Sequence, residues 1–177
     1  TKSNGTWVCA RGETAKVEIA GQTVWLLKPA TFMNLSGKSV AAALRYWKIE
    51  PEEMLVAHDE LDLAPGVARF KFDGGHGGQN GLRDIVRLLG HGQFHRMRIA
   101  IGHPGHKDKV TPWVLGRPGK DDEILIRRAI DDAIAALPLA VASTVLTVNK
   151  KALSIQFGTG NLLSEFSAAV LQKAKAS

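Results

Sequence analysis

The segment GGHGGQNG, residues 74–81, constrains this chain more than any other. Gly74, Gly75, Gly77, Gly78 and Gly81 open directly into Leu82, Ile85, Val86 and Leu89, which fall at helical spacing. Glycine weakens the interior of either a helix or a strand, so so many in succession predict a loop feeding a helix N-terminus. Backbone N–H groups in such a loop, with the helix dipole behind them, suit a negative ligand such as a phosphate. A tight strand-to-helix turn that only needs positive φ is the alternative, but five glycines exceed what such a turn requires. His76, Gln79 and Asn80 add polar side chains to the loop. Two nucleotide fingerprints are excluded. Gly75-x-Gly77 meets Asn80 where G-x-G-x-x-G needs glycine, and Gly37-Lys38-Ser39 has Phe32 where a P-loop needs its first glycine.

The elements around the loop follow from periodicity. Residues 17–27 read as two short strands turning at Gly21-Gln22, ended by Lys28-Pro29. Val40, Leu44 and Trp47 mark one apolar helix face from about Leu35, with Pro51 as the stop. MLVAH, residues 54–58, reads as a buried strand delivering Asp59, Glu60 and Asp62 into a loop. Ala68, Phe70 and Phe72 alternate with Arg69 and Lys71, which assigns the phenylalanines to the core and the basic pair to the outside. Residues 94–101 alternate likewise, with Met97, Ile99 and Ile101 opposite Arg96, Arg98 and Ala100. An amphipathic helix over 120–137 is expected to end at Pro138, with a weaker helix over 144–154 and a helical stretch over 162–175. Strands alternating with helices predict a single α/β domain over 1–157, its mixed central sheet flanked by helices, followed by a C-terminal tail over 158–177. In such sheets ligands meet the carboxyl ends of the strands, where Asp59 and the glycine loop fall.

Composition narrows the partners. A chain of 177 residues, 45% hydrophobic, supports one domain with a full core. The 23 Lys plus Arg against 17 Asp plus Glu, a formal charge of +6, favour a polyanionic partner. No segment is a basic arm, so a nucleic-acid surface has to be assembled by folding. The single cysteine, Cys9, excludes a disulfide framework, and no apolar run approaches the roughly 18 residues that cross a bilayer. The expectation is a soluble, cytoplasmic protein without membrane contact. Thr1 in place of Met suggests a processed or truncated N-terminus.

Candidate chemistry remains open at this level. Asp59 suits orientation of a histidine or a water, or belongs to a solvated acidic turn. His58 and Asp59 are expected on opposite strand faces and so do not form a dyad. Asn34 either reaches a ligand or caps the helix that follows. Asp59, Glu60 and Asp62 lack further ligands at recognisable spacing, and His103-x-x-His106 lacks a partner cluster, so no metal is expected.

Taken together, the blocks TFMNLSGKSV, LVAHDELDLAPG, GGHGGQNGLRDI, FHRMRIAIGHPG and WVLGRP, in that order and spacing, resemble bacterial peptidyl-tRNA hydrolases over roughly residues 4–137. The resemblance implies a mixed-sheet α/β fold and hydrolysis of the ester joining a peptide to the 3′-terminal ribose of tRNA. It also implies a monomer that needs no metal or cofactor. By motif, Asn34 and Asn80 resemble the asparagines that hold substrate and the attacking water, and Phe32 and Met33 resemble residues lining the site for the peptide and terminal nucleotide. Asp59 resembles the aspartate that keeps a catalytic histidine in its basic form. Arg69, Lys71 and Arg98 resemble positions that meet tRNA phosphates. Gln79 stands where the family commonly has a histidine. The family's opening strand, with its G-L-G-N-P-G-like motif, and the loop carrying the catalytic histidine are not matched. On this reading none of His58, His76, His91, His95, His103 or His106 is assigned as the base, and the sheet is expected to lack a central strand. The alternatives are a non-enzymatic relative that binds RNA through the same surface, or a catalytically impaired truncated form.

Overall fold

The computed structural model describes residues 2–3, 6–9, 12–142 and 151–156. Four strands, β1 (Lys2–Ser3), β2 (Thr6–Cys9), β3 (Gly12–Ile19) and β4 (Gln22–Pro29), form an antiparallel arm. The chain continues through a 3-10 turn at Met33–Leu35, α1 (Ser36–Trp47), β5 (Met54–Glu60), β6 (Ala68–Phe72), α2 (Asn80–Leu89) and β7 (His95–Ala100). It ends with α3 (Val110–Leu115), α4 (Lys120–Ala142) and β8 (Lys151–Gln156). The strand order is β1-β2-β3-β4-β8-β5-β7-β6. β8 runs parallel to both β4 and β5, β5 runs parallel to β7, and β6 closes the sheet antiparallel to β7. The sheet is mixed and helices flank it, as the alternation of elements predicts.

Strand periodicity divides the core between two faces. Leu55, Ala57, Met97 and Ile99 point toward α4, where Ile126, Ile130, Ile134 and Leu137 cover them. Met54 and Val56 point the other way, onto Val40 and Leu44 of α1 and Leu82 and Ile85 of α2. Each such side chain, fully buried, contributes roughly 1.5–3 kcal/mol of hydrophobic stabilisation before entropy is counted. Trp25 of β4 stacks on Trp47 of α1, ring centroids 4.7 Å apart. Helices α1 and α2 touch at Gly37, where an added Cβ would lie 2.5 Å from the Asp84 carbonyl oxygen. The Gly37 amide donates to Asp84 Oδ2 at 2.8 Å. This is why a glycine begins the Gly-Lys-Ser run: it permits a helix crossing, not a phosphate loop.

Several sequence expectations are corrected. Phe70 and Phe72 are 44% and 47% exposed, because β6 is the edge strand and is not fully covered on either face. Arg96 is buried despite sharing its alternation with Arg98. Pro138 does not end α4, which continues to Ala142 with Leu137 and Val141 both buried against the sheet; their packing outweighs the backbone bond the proline forfeits. Asp59 and Glu60 end β5 instead of lying beyond it. Residues 151–154, expected as helix, lie in β8, and β8 fills the central position expected to be open. Parallel pairing partners on both sides decide the conformation of those residues against their local preference. The stretch expected to be helical over 162–175 lies outside the described residues.

Candidate active site

Three chain segments meet beyond the carboxyl end of β5. The first is the turn between β4 and α1, fixed by the Leu35 amide donating to Phe32 O at 2.9 Å and by Ser36 Oγ donating to Met33 O at 2.8 Å. This turn presents Phe32, 81% exposed, and Asn34 to a cavity of about 340 Å³. Asn34 does not cap α1: Leu35 occupies the cap position without a side-chain bond. The second segment is β5 itself, which carries Asp59, only 5% exposed, to the cavity wall. The third is the glycine loop and the start of α2, bringing His76, Gln79 and Asn80.

Gln79 joins the three. Its Oε1 caps α2 by accepting from the Leu82 amide at 2.8 Å, while Nε2 donates to Asp59 Oδ1 and lies against Met33 Sδ, each at 3.2 Å. The loop is largely bonded within itself: the Gly74 amide donates to Asp73 Oδ1, the Gly78 amide to His76 Nδ1 and the Gln79 amide to His76 O. Those amides are therefore committed and do not form the open phosphate cradle that the glycine count allows. Gly77 and Gly78 have φ of +55° and +83°, and Gly74 +117°, which is what the glycines are needed for. The fourth wall is Val110, Thr111, Val114 and Leu115 of α3, which no polar motif in the sequence singles out as part of the site, although Val114 and Leu115 belong to the WVLGRP block.

Burial dominates the electrostatics. It pushes the Asp59 carboxyl up, opposed by the Gln79 hydrogen bond and the neighbouring His58. It holds the His58 imidazole below its ordinary value, against the opposing effects of its bond to the Asp59 carbonyl and the Asp59 and Glu60 charges. His58 is 3% exposed; its Nδ1 lies 2.8 Å from the Asp59 carbonyl oxygen, and its Nε2 has no hydrogen-bond partner among the described residues. The Asp59 carboxylate bonds Gln79 and not His58, so the two do not form a dyad. Burial is the largest single effect on Glu60 and works against its ionisation, but the hydrogen bond from Arg98, 2.7 Å away, the bond from the Asp62 amide and the Arg98 and His58 charges together outweigh it, so the carboxyl stays below its usual range.

The basic residues form an edge. Arg69 stands opposite Arg98, and Lys71 opposite Arg96, across the antiparallel β6–β7 pair. Like charges placed so are unfavourable. Glu60 offsets the first pair, while Arg69 and Lys71 remain exposed. Among the described residues no three His, Cys, Asp or Glu side chains are grouped to hold a metal, and no helix is long and apolar enough to cross a membrane.

The mixed α/β sheet thus sets Asn34, Asn80, the buried Asp59 and the capping Gln79 around one cleft, and it carries exposed cations on its edge strand. The family model described as peptidyl-tRNA hydrolase matches residues 2–157, and the chain belongs to that family. It is 85% identical to a peptidyl-tRNA hydrolase of Stenotrophomonas maltophilia (strain R551-3) over 130 residues, which are 73% of this chain and 68% of that protein. A peptidyl-tRNA hydrolase of Xanthomonas campestris pv. campestris is 78% identical over 130 residues, 73% of this chain and 67% of the relative. The crystal structure of peptidyl-tRNA hydrolase from Acinetobacter baumannii matches with a TM-score of 0.72 at 37% identity, covering 97% of this chain and 78% of that one.

Proposed function

We propose that this chain hydrolyses the ester between peptide and tRNA in peptidyl-tRNA, freeing the tRNA, as a cytoplasmic monomer without a cofactor. The observation that carries this is the convergence of Asn34, Asp59, Gln79 and Asn80 on one cavity from three chain segments. Ester hydrolysis needs a positioned water, a group that takes its proton, and donors for the oxyanion. The carboxamides of Asn34 and Asn80 offer donors and acceptors to hold the water and the substrate carbonyl. Phe32 and Met33 supply apolar surface for the peptide end and the terminal nucleotide. Arg69 and Lys71 on the edge strand β6, with Arg98 beside them on β7, meet tRNA phosphates.

Asp59 orients the histidine that acts as base. Of the two histidines at the cavity, His58 is only 3% exposed, and Nδ1 of His76 accepts from the Gly78 amide, so we assign neither as the base. We assign the base to a histidine outside these 177 residues, seated against Asp59.

The test is release of peptide from an N-blocked aminoacyl-tRNA by this chain, beside a version extended at the N-terminus to include the family's opening strand and histidine loop. Turnover by the extended version alone supports both the reaction and the base assignment. Turnover by the 177-residue chain overturns the base assignment. Silence from both, with tRNA still bound, overturns the enzymatic reading in favour of an RNA-binding relative.

A further inference from the structure

We infer that Arg96 is a positioning residue: its buried guanidinium ties the glycine loop to the turn preceding β7 and so sets where Gln79 and Asn80 stand at the cavity. The inference rests on the proposed reaction for its kinetic consequence and on geometry alone for its structural one.

Arg96 is 2% exposed and makes no ion pair with a carboxylate among the described residues. Its charge is met instead by backbone carbonyls from both sides of a junction. Nη1 donates to Gly75 O, Nη2 donates to Gly74 O, and Nη2 also donates to Gly92 O at 3.2 Å. The guanidinium carbon lies 4.6 Å from the centre of the Phe94 ring, which supports it from the other face. A planar, permanently charged fork meets three carbonyls in fixed directions, as a lysine ammonium does not.

The partner chain segment is shaped to match. A Cβ on Gly92 would lie 2.4 Å from Gly74 O and 2.9 Å from Arg96 Nη2, so only glycine lets the two stretches approach this closely. The Asp73 amide donates to Phe94 O at 3.1 Å and closes the same junction. Beyond Gly75 the loop has, among the described residues, only its internal bonds until Gln79 caps α2. One end of the loop is thus anchored by α2 and the other by Arg96, with His76 to Gln79 spanning the gap. Freed at the Arg96 end, the glycines would let the loop sample other positions, and displacement of a substrate-holding group by about 1 Å is worth up to about 10² in rate.

The experiment compares R96M and R96K with the parent, both in the N-terminally extended protein, by peptide-release kinetics and by amide order parameters over residues 76–80. The expected result is a folded R96M whose kcat falls by roughly ten- to a hundredfold with KM changed less than about twofold, and whose order parameters drop from the rigid range near about 0.85 toward about 0.6. R96K should recover part of both. A folded R96M with parental loop order or parental kcat overturns the inference, since a residue that only adds stability would move neither. Should R96M fail to fold, G92A decides: it keeps the guanidinium but pushes Gly74 away, and an unchanged loop and kcat would overturn the inference. If the parent releases no peptide, the proposed reaction fails while the order parameters still decide the role of Arg96.

Discussion

Gln79 Nε2 donates to Asp59 Oδ1 at 3.2 Å while the other end of the same carboxamide caps α2. One side chain therefore couples helix stability to the ionisation of the buried carboxylate. Gln79→Ala should lose about 1 kcal/mol through the missing cap and let the Asp59 carboxyl rise further, since the bond from Gln79 holds it down. Gln79→Glu keeps a cap acceptor but loses the donor to Asp59. Thermal unfolding should separate Ala from Glu, while the acidic limb of the pH–rate profile should move upward in both. An acidic limb unmoved in either variant would contradict the coupling.

Asn80, at the first position of α2, is exposed and faces the cavity. Asn80→Ala should lower turnover at least about tenfold with the melting temperature nearly unchanged, the loss expected for one transition-state hydrogen bond. Parental turnover in the folded variant would remove Asn80 from the reaction.

Lys71 is exposed, whereas Arg98 is held by Glu60. Replacing Lys71 by Ala should reduce the slope of log binding constant against log salt for tRNA by about one unit. Arg98→Ala should weaken binding too, but with a stability loss, because it strands the Glu60 carboxylate. Equal salt slopes for parent and K71A would exclude Lys71 from the phosphate contacts.

Burial holds His58 below its ordinary 6.5. The unfolded chain then takes up a proton that the folded chain refuses. Stability is thus fully present above pH 6.5 and is lost as pH falls below it toward the lowered folded value. Asp59, raised by burial, acts with the opposite sign, so the contribution of His58 is read as a difference. Melting temperature measured between about pH 7.5 and 5 should fall more steeply for the parent than for His58→Gln. Parallel curves would contradict the assignment.

Gly37 sits where α1 crosses α2. Gly37→Ala should destabilise the fold by about 1–3 kcal/mol through overpacking, visible as a lower denaturation midpoint, with KM unchanged. A variant as stable as the parent would mean that the crossing relaxes freely.

Much of the site was legible because its residues lie in short, ordered blocks. Asp59 follows an apolar strand, and Asn80 opens a helix after glycines; both statements are local. The role of Gln79 was not legible, because its cap is local but its bond to Asp59 joins residues 20 apart in sequence. Arg96 and Arg98 share one strand parity, and periodicity assigns them one environment. Only the glycine loop folded over Arg96 makes the first buried and leaves the second half-buried at Glu60. Phe70 and Phe72 have the alternation of core residues, yet which strand ends the sheet is a property of the topology, invisible to a pattern of period two. The six residues of β8 carry no alternation strong enough to overrule helix; two parallel neighbours supply what the local signal lacks.

The edge strand β6 carries one further consequence. Among the described residues no strand pairs with its outer side, and Phe70 and Phe72 make that edge adhesive. Arg69 and Lys71, alternating with them, repel a second copy brought alongside. The cations proposed to meet phosphates thereby also guard against self-association, so neutralising both is expected to make the protein prone to aggregate, and tRNA at the same edge would mask that tendency by covering it.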